Sequence, residues 1–278
     1  MPLLIEKEVL HLKLQTIPST LLREIASSKN INQSSTPEVI KALIGSQISH
    51  IEIDEIIKAN YQNIIKKRQA LISDSQLLSE LNLVSEFNWG VVQGQLDTKI
   101  QTNYVRKYAQ YSKLIENVKS TLHNEVTSYV VCTWYNHWST VLIEDFISQH
   151  RKVVPTLKNV KGVDIFFHCQ PFDLKITYLP SRFPKNISQA IKAPKDLIIW
   201  LYENQGAQRF GSENRFFVVL YDEKNPSESW KIKRDISFIR SKIDNFFEKE
   251  TVTIDDEISF EFNKETYSAL SKILFIVK

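Results

Sequence analysis

The chain has 278 residues, 42% of them hydrophobic and 24% charged, with a formal net charge of +3 at pH 7. With five Trp, ten Tyr and fifteen Phe, this composition excludes a disordered chain, and the mild basicity is compatible with nucleic-acid binding without requiring it. Two cysteines are too few for a disulfide framework, no apolar run reaches membrane-spanning length, and the early charges do not fit a signal peptide, so we expect a cytoplasmic protein without membrane contacts.

The first part of the chain is predicted to be mainly helical. Apolar residues follow helical spacing between residues 53 and 65, and a second stripe follows it between residues 104 and 118. Polar residues predict a loop at 28–37, and two glycines predict another at 87–94. We expect residues 1–125 to form a helical region wrapped onto the rest.

The second part, residues 126–278, is predicted to be a mixed α/β core, either as a separate domain or as one continuous domain with the first part. Helical and strand-like patterns alternate along it, as in α/β proteins. The predicted elements are a helix at 136–149, strands at 163–167 and 172–178, a helix at 195–203, a buried strand at 216–221, a helix at 232–247, and edge or terminal strands at 258–262 and 273–277.

Charged residues interrupt the two neighbouring strands at 163–167 and 172–178. Strict alternation from residue 172 places Asp173 and Lys175 on one face of an otherwise apolar strand. Asp164 lies in the preceding strand, and Glu144 lies on the helix before both. If the strands pair as a hairpin through residues 168–171, two carboxylates and an amine converge, which is a suitable site for a divalent metal and a phosphate.

This arrangement resembles the PD-(D/E)xK nuclease superfamily over about residues 130–250. Val163-Asp164 corresponds to the leading half of the family motif, with valine where the family name has proline, and Asp173-Leu174-Lys175 corresponds to the second half. Glu144 matches the helix position from which many members contribute a further acid. The resemblance implies an α/β protein with a restriction-endonuclease-like mixed β-sheet core flanked by helices, and it leaves the mainly helical N-terminal part unexplained.

The resemblance also implies an activity, which is Mg²⁺-dependent cleavage of double-stranded DNA, with Mn²⁺ able to substitute. Asp164, Asp173 and Glu144 would be metal ligands, with the Leu174 carbonyl as an additional one. Lys175 would hold the attacking water or offset charge on phosphorus, so the expected catalytic set is these three acids and Lys175. The implied protein is a type II restriction endonuclease that acts as a homodimer, with a cognate DNA methyltransferase encoded separately and the helical N-terminal part supplying dimer contacts, DNA recognition or both.

Each of these interpretations has an alternative. Asp173 and Lys175 would also fit a solvated strand face, Asp164 a structural acid near a turn, and Glu144 a surface residue paired with a lysine. A second Asp-x-Lys triplet, Asp97-Thr98-Lys99, lacks alternating apolar neighbours and carries no prediction. At the level of function, the alternatives are a repair or mobile-element nuclease of the same fold and a DNA-binding protein without catalysis.

Overall fold

The computed structural model describes residues 3–87, 93–206 and 210–278, which form a mixed α/β protein. Backbone contacts group the chain into two compact units, one of Met1–Leu71 with Ile143–Lys278 and one of Ile72–Leu142. The division predicted after residue 125 stays a prediction. All residues of the predicted site belong to the first unit.

The part of the chain before the sheet is helical, as predicted. Its α-helices are α1 (Glu6–Gln15), α2 (Ser19–Ser28), α3 (Thr36–Gly45), α4 (His50–Leu71), α5 (Asp74–Asn82), α6 (Gln93–Ile100), α7 (Tyr111–Asn117) and α8 (His123–Gln149), with π-helical stretches at Gln101–Val105 and Val118–Leu122. The loop predicted at 28–37 is confirmed, because α2 ends at Ser28 and α3 begins at Thr36. The loop predicted at 87–94 falls largely outside the described residues.

The single helix predicted between residues 104 and 118 is wrong. The chain leaves the helical conformation at about residue 106 and re-enters it at α7. Tyr104 is buried, whereas Tyr111 is 78% exposed. The aromatic residues therefore do not share one buried face, and tertiary packing, which supplies most helix stability, does not support a continuous helix here.

The second part contains, among the described residues, a six-stranded mixed sheet, three further α-helices and 3₁₀-helical segments at Pro226–Arg234 and Ile254–Asp256. The strands are β1 (Val153–Val160), β2 (Val163–Phe167), β3 (Gln170–Tyr178), β4 (Arg215–Tyr221), β5 (Glu257–Phe262) and β6 (Glu265–Val277), and the helices are α9 (Ile187–Lys192), α10 (Pro194–Glu203) and α11 (Ile236–Lys249). The sheet order is β1-β2-β3-β4-β6-β5. Strands β3, β4 and β6 are parallel neighbours, while β1-β2, β2-β3 and β5-β6 pair antiparallel.

Two features of the sheet differ from the sequence prediction. Strand β1 was not predicted, because Pro155 and the polar residues after it weaken the strand pattern. A proline is tolerated there because β1 lies at the edge of the sheet. Strand β6 begins with polar residues and is longer than predicted, and it lies inside the sheet between β4 and β5.

Two hydrophobic clusters hold this unit together. Helices α1 to α4 pack with β1 and β2 in one cluster that includes Val154, Val163 and Phe166. Helices α9 and α10 pack with β4, β5 and β6 in another. Within the three described ranges, no helix is both long and apolar enough to span a membrane.

Asn214 joins three strands beside the predicted site. Its backbone carbonyl accepts a 2.9 Å hydrogen bond from the Asp173 N–H. Its side-chain amide donates to the Pro171 carbonyl at 3.1 Å and accepts from the Leu270 N–H at 3.0 Å. Because Asn214 is only 6% exposed, water does not replace these bonds, and they fix where β3 begins relative to β4 and β6.

We expect Asn214→Ala to destabilise the fold by about 2–4 kcal/mol, since it leaves one buried carbonyl and one buried N–H without a partner. Asn124→Ala is the control, because Asn124 is exposed on α8 and its amide donates to the nearby Ser120 carbonyl of the same chain segment. Denaturant unfolding followed by circular dichroism measures both free energies. Equal stabilities of the two variants would contradict the role given to Asn214.

Candidate functional site

The hairpin predicted between β2 and β3 is present, and its turn is tighter than expected. Phe167 pairs with Gln170, so only His168 and Cys169 form the turn. Both have positive φ values, 46° and 57°, which is the backbone geometry of a two-residue hairpin turn. This turn fixes the register of the two strands.

That register places the two predicted aspartates opposite each other. The register of the two strands includes the pair Ile165 and Phe172, and continuing it by one residue places Asp164 opposite Asp173. Side chains that face each other across an antiparallel pair have Cβ atoms about 4.5–5.5 Å apart. Like charges in such a pair are destabilising, so a proton or a cation beside the two carboxylates stabilises the pair.

Asp164 is held against the backbone of β3. Its Oδ2 accepts a 2.8 Å hydrogen bond from the Leu174 N–H. Although the residue exposes surface, surrounding protein desolvates the carboxyl group, and this burial raises its pKa. The Leu174 bond opposes the rise, and the charge of Asp173 adds to it. The bond to Leu174 is also a structural role, so the alternative of a structural acid stays open for this residue.

Asp173 and Lys175 form an ion pair on the same face of β3. The Lys175 Nζ lies 2.8 Å from Oδ1 and 2.7 Å from Oδ2 of Asp173. The Asp173 side chain is 15% exposed, while that of Lys175 is 47% exposed. The structure therefore brings Asp164, Asp173 and Lys175 together, and the amine is open to solvent.

Glu144 lies near this group, on the last turns of α8. Burial raises the pKa of its carboxyl to about 7. The charges of Asp164 and Asp145 raise it too, while Lys175 and Lys233 oppose the rise. The side chain is half-buried, and the charges of two lysines act on it, so the alternative of a surface residue paired with a lysine stays open.

Lys233 was not predicted from the sequence. It is 1% exposed, on the 3₁₀-helical segment Pro226–Arg234, with its Nζ 5.7 Å from the centre of the Tyr178 ring. Burial lowers its pKa to about 7, and the charge of Glu144 opposes this. Burial thus disfavours the charged forms of Glu144 and Lys233, and this effect is larger than the attraction between the two charges. No local signal in a lysine-rich segment indicates which lysine is buried.

Arg215 and Glu213 were also missed. The parallel register pairs Arg215 with Asp173, and its Nε lies 3.6 Å from the Asp173 Oδ2. Together with Lys175, both residues line a cavity of about 510 Å³ that opens beside Asp173. Arg215 is the first residue of an apolar strand, so its sequence position alone does not show that it faces the site.

Two glycines make room for the Glu213 side chain. Gly162 has a φ of +75°, and a Cβ there would lie 2.3 Å from the Glu213 Cγ. A Cβ on Gly211 would lie 2.1 Å from the Glu213 Oε2. The carboxylate therefore occupies a gap that two residues without side chains keep open.

The chemistry of these side chains fits a hard divalent cation, although their arrangement does not form a complete site. Carboxylate oxygens are the ligands that Mg²⁺ prefers, and facing carboxylates favour a cation between them. Within the described ranges, no group of three or more acid, histidine or cysteine side chains is positioned to hold a metal ion. Asp164 and Asp173 would supply two ligands, and Glu144 fits a third contact made through water.

Comparisons with known proteins do not identify a family. No protein-family model matches the chain, and neither the curated proteins nor the solved structures give a match. The interpretation of the site therefore depends on its own geometry and chemistry.

Replacing Gly162 tests the gap around Glu213. We expect Gly162→Ala to lower the free energy of unfolding by about 1–2 kcal/mol, because alanine is unfavourable in the left-handed backbone conformation. The close contact of the new Cβ with Glu213 should lower it further. Gly45→Ala is the matched control, because nothing lies within 4 Å of its added Cβ and it ends a helix in which alanine is favoured. Thermal unfolding of both variants provides the comparison, and a neutral Gly162→Ala would contradict the close approach.

Asp164→Asn tests the strain between the two acids. An acid whose pKa is higher in the folded than in the unfolded protein reduces stability once the pH exceeds its ordinary value. We therefore expect Asp164→Asn, which can still accept from Leu174, to be more stable than the parent at pH 7. The gain should disappear below a pH of about 3.9, where the acid is protonated in both states. Urea unfolding of both proteins across this pH range measures the difference. If Asp164→Asn is less stable than the parent at pH 7, the negative charge of Asp164 is favourable in the folded protein.

Proposed function

We propose that this protein is a Mg²⁺-dependent endonuclease that hydrolyses phosphodiester bonds of double-stranded DNA. The observation that supports it most strongly is the like-charged pair Asp164 and Asp173, held in register on neighbouring strands with Lys175 beside it. A like-charged pair reduces stability, and its presence next to an amine and an open cavity is typical of a functional site.

The side chains divide the work of hydrolysis between them. The water oxygen attacks phosphorus, the bond from phosphorus to the leaving sugar oxygen breaks, and that oxygen takes up a proton. Lys175 is half-exposed, so its ammonium group can orient the water or donate to a phosphate oxygen. Glu144 is half-buried beside this group, and its carboxylate can accept a proton from the water.

A bound Mg²⁺ would polarise the phosphate and lower the pKa of its bound water. The residues that would hold it are Asp164 and Asp173, the Leu174 carbonyl as an additional ligand, and Glu144 directly or through water. Mn²⁺ has similar ligand preferences and would substitute.

The more specific proposal is a type II restriction endonuclease that acts as a homodimer, with its methyltransferase encoded separately. Two active sites related by a twofold axis would cut both strands of a symmetric sequence. Plasmid digestion with Mg²⁺, and with EDTA as control, distinguishes the candidates. Discrete fragments support site-specific cleavage, while a smear or structure-dependent nicking supports a repair or mobile-element nuclease. No cleavage of any DNA with Mg²⁺ or Mn²⁺ would refute the proposed activity and leave a DNA-binding protein.

We expect Asp173→Ala and Lys175→Ala to reduce cleavage to background while DNA binding stays measurable. Glu144→Ala should reduce the cleavage rate less than these two substitutions, because Glu144 lies on α8 and not on the two strands that carry Asp164, Asp173 and Lys175. Single-turnover cleavage and gel-shift binding give the two measurements.

Lys99→Ala is the matched control, since Lys99 belongs to the other Asp-x-Lys triplet and pairs with Glu125 at 2.6 Å. It should cleave like the parent protein. Near-parental cleavage by Asp173→Ala or Lys175→Ala would refute the site, and a fully neutral Glu144→Ala would make that residue structural.

A further inference from the structure

We infer that Arg215 is a substrate-binding residue of this site, and that its guanidinium group contacts a phosphate oxygen of the DNA strand in the cavity beside Asp173. This inference rests on the proposed function, and it adds a residue that no sequence pattern indicates.

The guanidinium is fixed in place before any substrate arrives. Arg215 is 7% exposed, and its guanidinium carbon lies 4.7 Å from the centre of the Tyr202 ring. Its Nη2 donates to the Gln205 Oε1 at 2.9 Å and to the Gly211 carbonyl at 3.3 Å. A stacked, hydrogen-bonded guanidinium loses little conformational entropy when it binds an anion.

One hydrogen-bond donor of Arg215, on the side of Asp173, is unsatisfied by the described part of the chain. Its Nε is buried, and no hydrogen-bond acceptor in the described ranges receives its proton. The nearest charged atom recorded for it is the Asp173 Oδ2, at 3.6 Å. A buried polar group without a partner is uncommon in folded proteins and calls for an explanation.

The charge of Arg215 is only partly neutralised. Lys175 already contacts both carboxylate oxygens of Asp173, so Arg215 is a second cation beside one acid. Glu213 lines the same cavity, with an ion pair to Lys161 at 3.8 Å and with its Oε2 and the Arg215 Nη2 both close to Gly211. The lining of the cavity thus contains three cations, Lys161, Lys175 and Arg215, and two acids, Asp173 and Glu213.

Phosphate is the anion that this arrangement fits. A guanidinium group matches phosphate oxygens in shape and charge, and a buried charge is stabilised when such a partner is bound. The cavity opens beside Asp173 and Lys175, where the proposed hydrolysis takes place. A phosphate oxygen bound there would keep the scissile bond within reach of both residues.

The experiment compares Arg215→Gln and Arg215→Lys with Arg23→Gln. Arg23 is exposed on α2 and its recorded contact is a 3.4 Å bond to the Ser34 carbonyl, so its replacement removes the same charge outside the cavity. The measurements are kcat and KM for cleavage of a DNA substrate with Mg²⁺, and binding of the same DNA in EDTA at several salt concentrations.

We expect Arg215→Gln to lower kcat by about 100-fold or more, as when one transition-state donor is removed. In EDTA, the slope of log K against log salt should fall by about one, as for one lost phosphate contact. Arg215→Lys should retain the slope but lose at least about tenfold in rate, because a point charge does not reproduce the planar group. Arg23→Gln should match the parent in rate.

The outcomes separate this inference from the proposed function. If the parent cleaves DNA and Arg215→Gln has a parental rate and salt slope, the inference is wrong and the function stands. If the parent cleaves no DNA but Arg215→Gln still lowers the slope, the phosphate contact stands and the nuclease activity fails. If the parent neither cleaves nor binds DNA, both fail. Should Arg215→Gln not fold, Arg215→Lys decides, and a parental rate for that variant overturns the inference.

Discussion

The site depends on the repulsion between two carboxylates that the β2-β3 hairpin places opposite each other. Asp164 and Asp173 face each other because the turn at His168 and Cys169 allows only one register. A shift by one residue would move one acid to the other face of the sheet. The bond from the Leu174 N–H to Asp164 then keeps one of the two acids against the backbone. The proposed binding of a divalent cation depends on that enforced proximity.

The surroundings of the two acids compensate the repulsion only in part. Lys175 contacts Asp173 directly, and Arg215 approaches it from the neighbouring parallel strand. On the side of α8, Glu144 and the buried Lys233 have pKa values moved toward neutrality from opposite directions. Several charged groups thus lie close together in the free protein, and a bound cation or phosphate would change the charge of the site. Such sensitivity is expected of a site that binds charged ligands.

Sequence reasoning found the local parts of this site and missed the distant ones. Alternation along β3 was enough to place Asp173 and Lys175 on one face, and a short hairpin was enough to add Asp164. Arg215 is beside Asp173 only because β4 returns parallel to β3 after a long connection, and residue patterns do not specify that register. The burial of Lys233 depends on tertiary packing in the same way.

Strand β1 shows a further limit of sequence reasoning. A proline and several polar residues conceal a strand whose edge position makes them acceptable. The mixed α/β class was therefore predictable from the alternation of elements, whereas the length of β6 and the order of the strands were not.

Asn214 ties the chemistry to the cooperative unit of the fold. The buried side chain of Asn214 joins β3 to β6 by hydrogen bonds. The backbone carbonyl of the same residue accepts a hydrogen bond from the Asp173 N–H. Partial openings that free a loop or a terminal helix would leave these bonds intact, so the site should keep its shape until the sheet itself melts. Such a site is preorganised, so a ligand would meet a rigid surface, and heat would abolish the proposed activity and the tertiary structure in a single step.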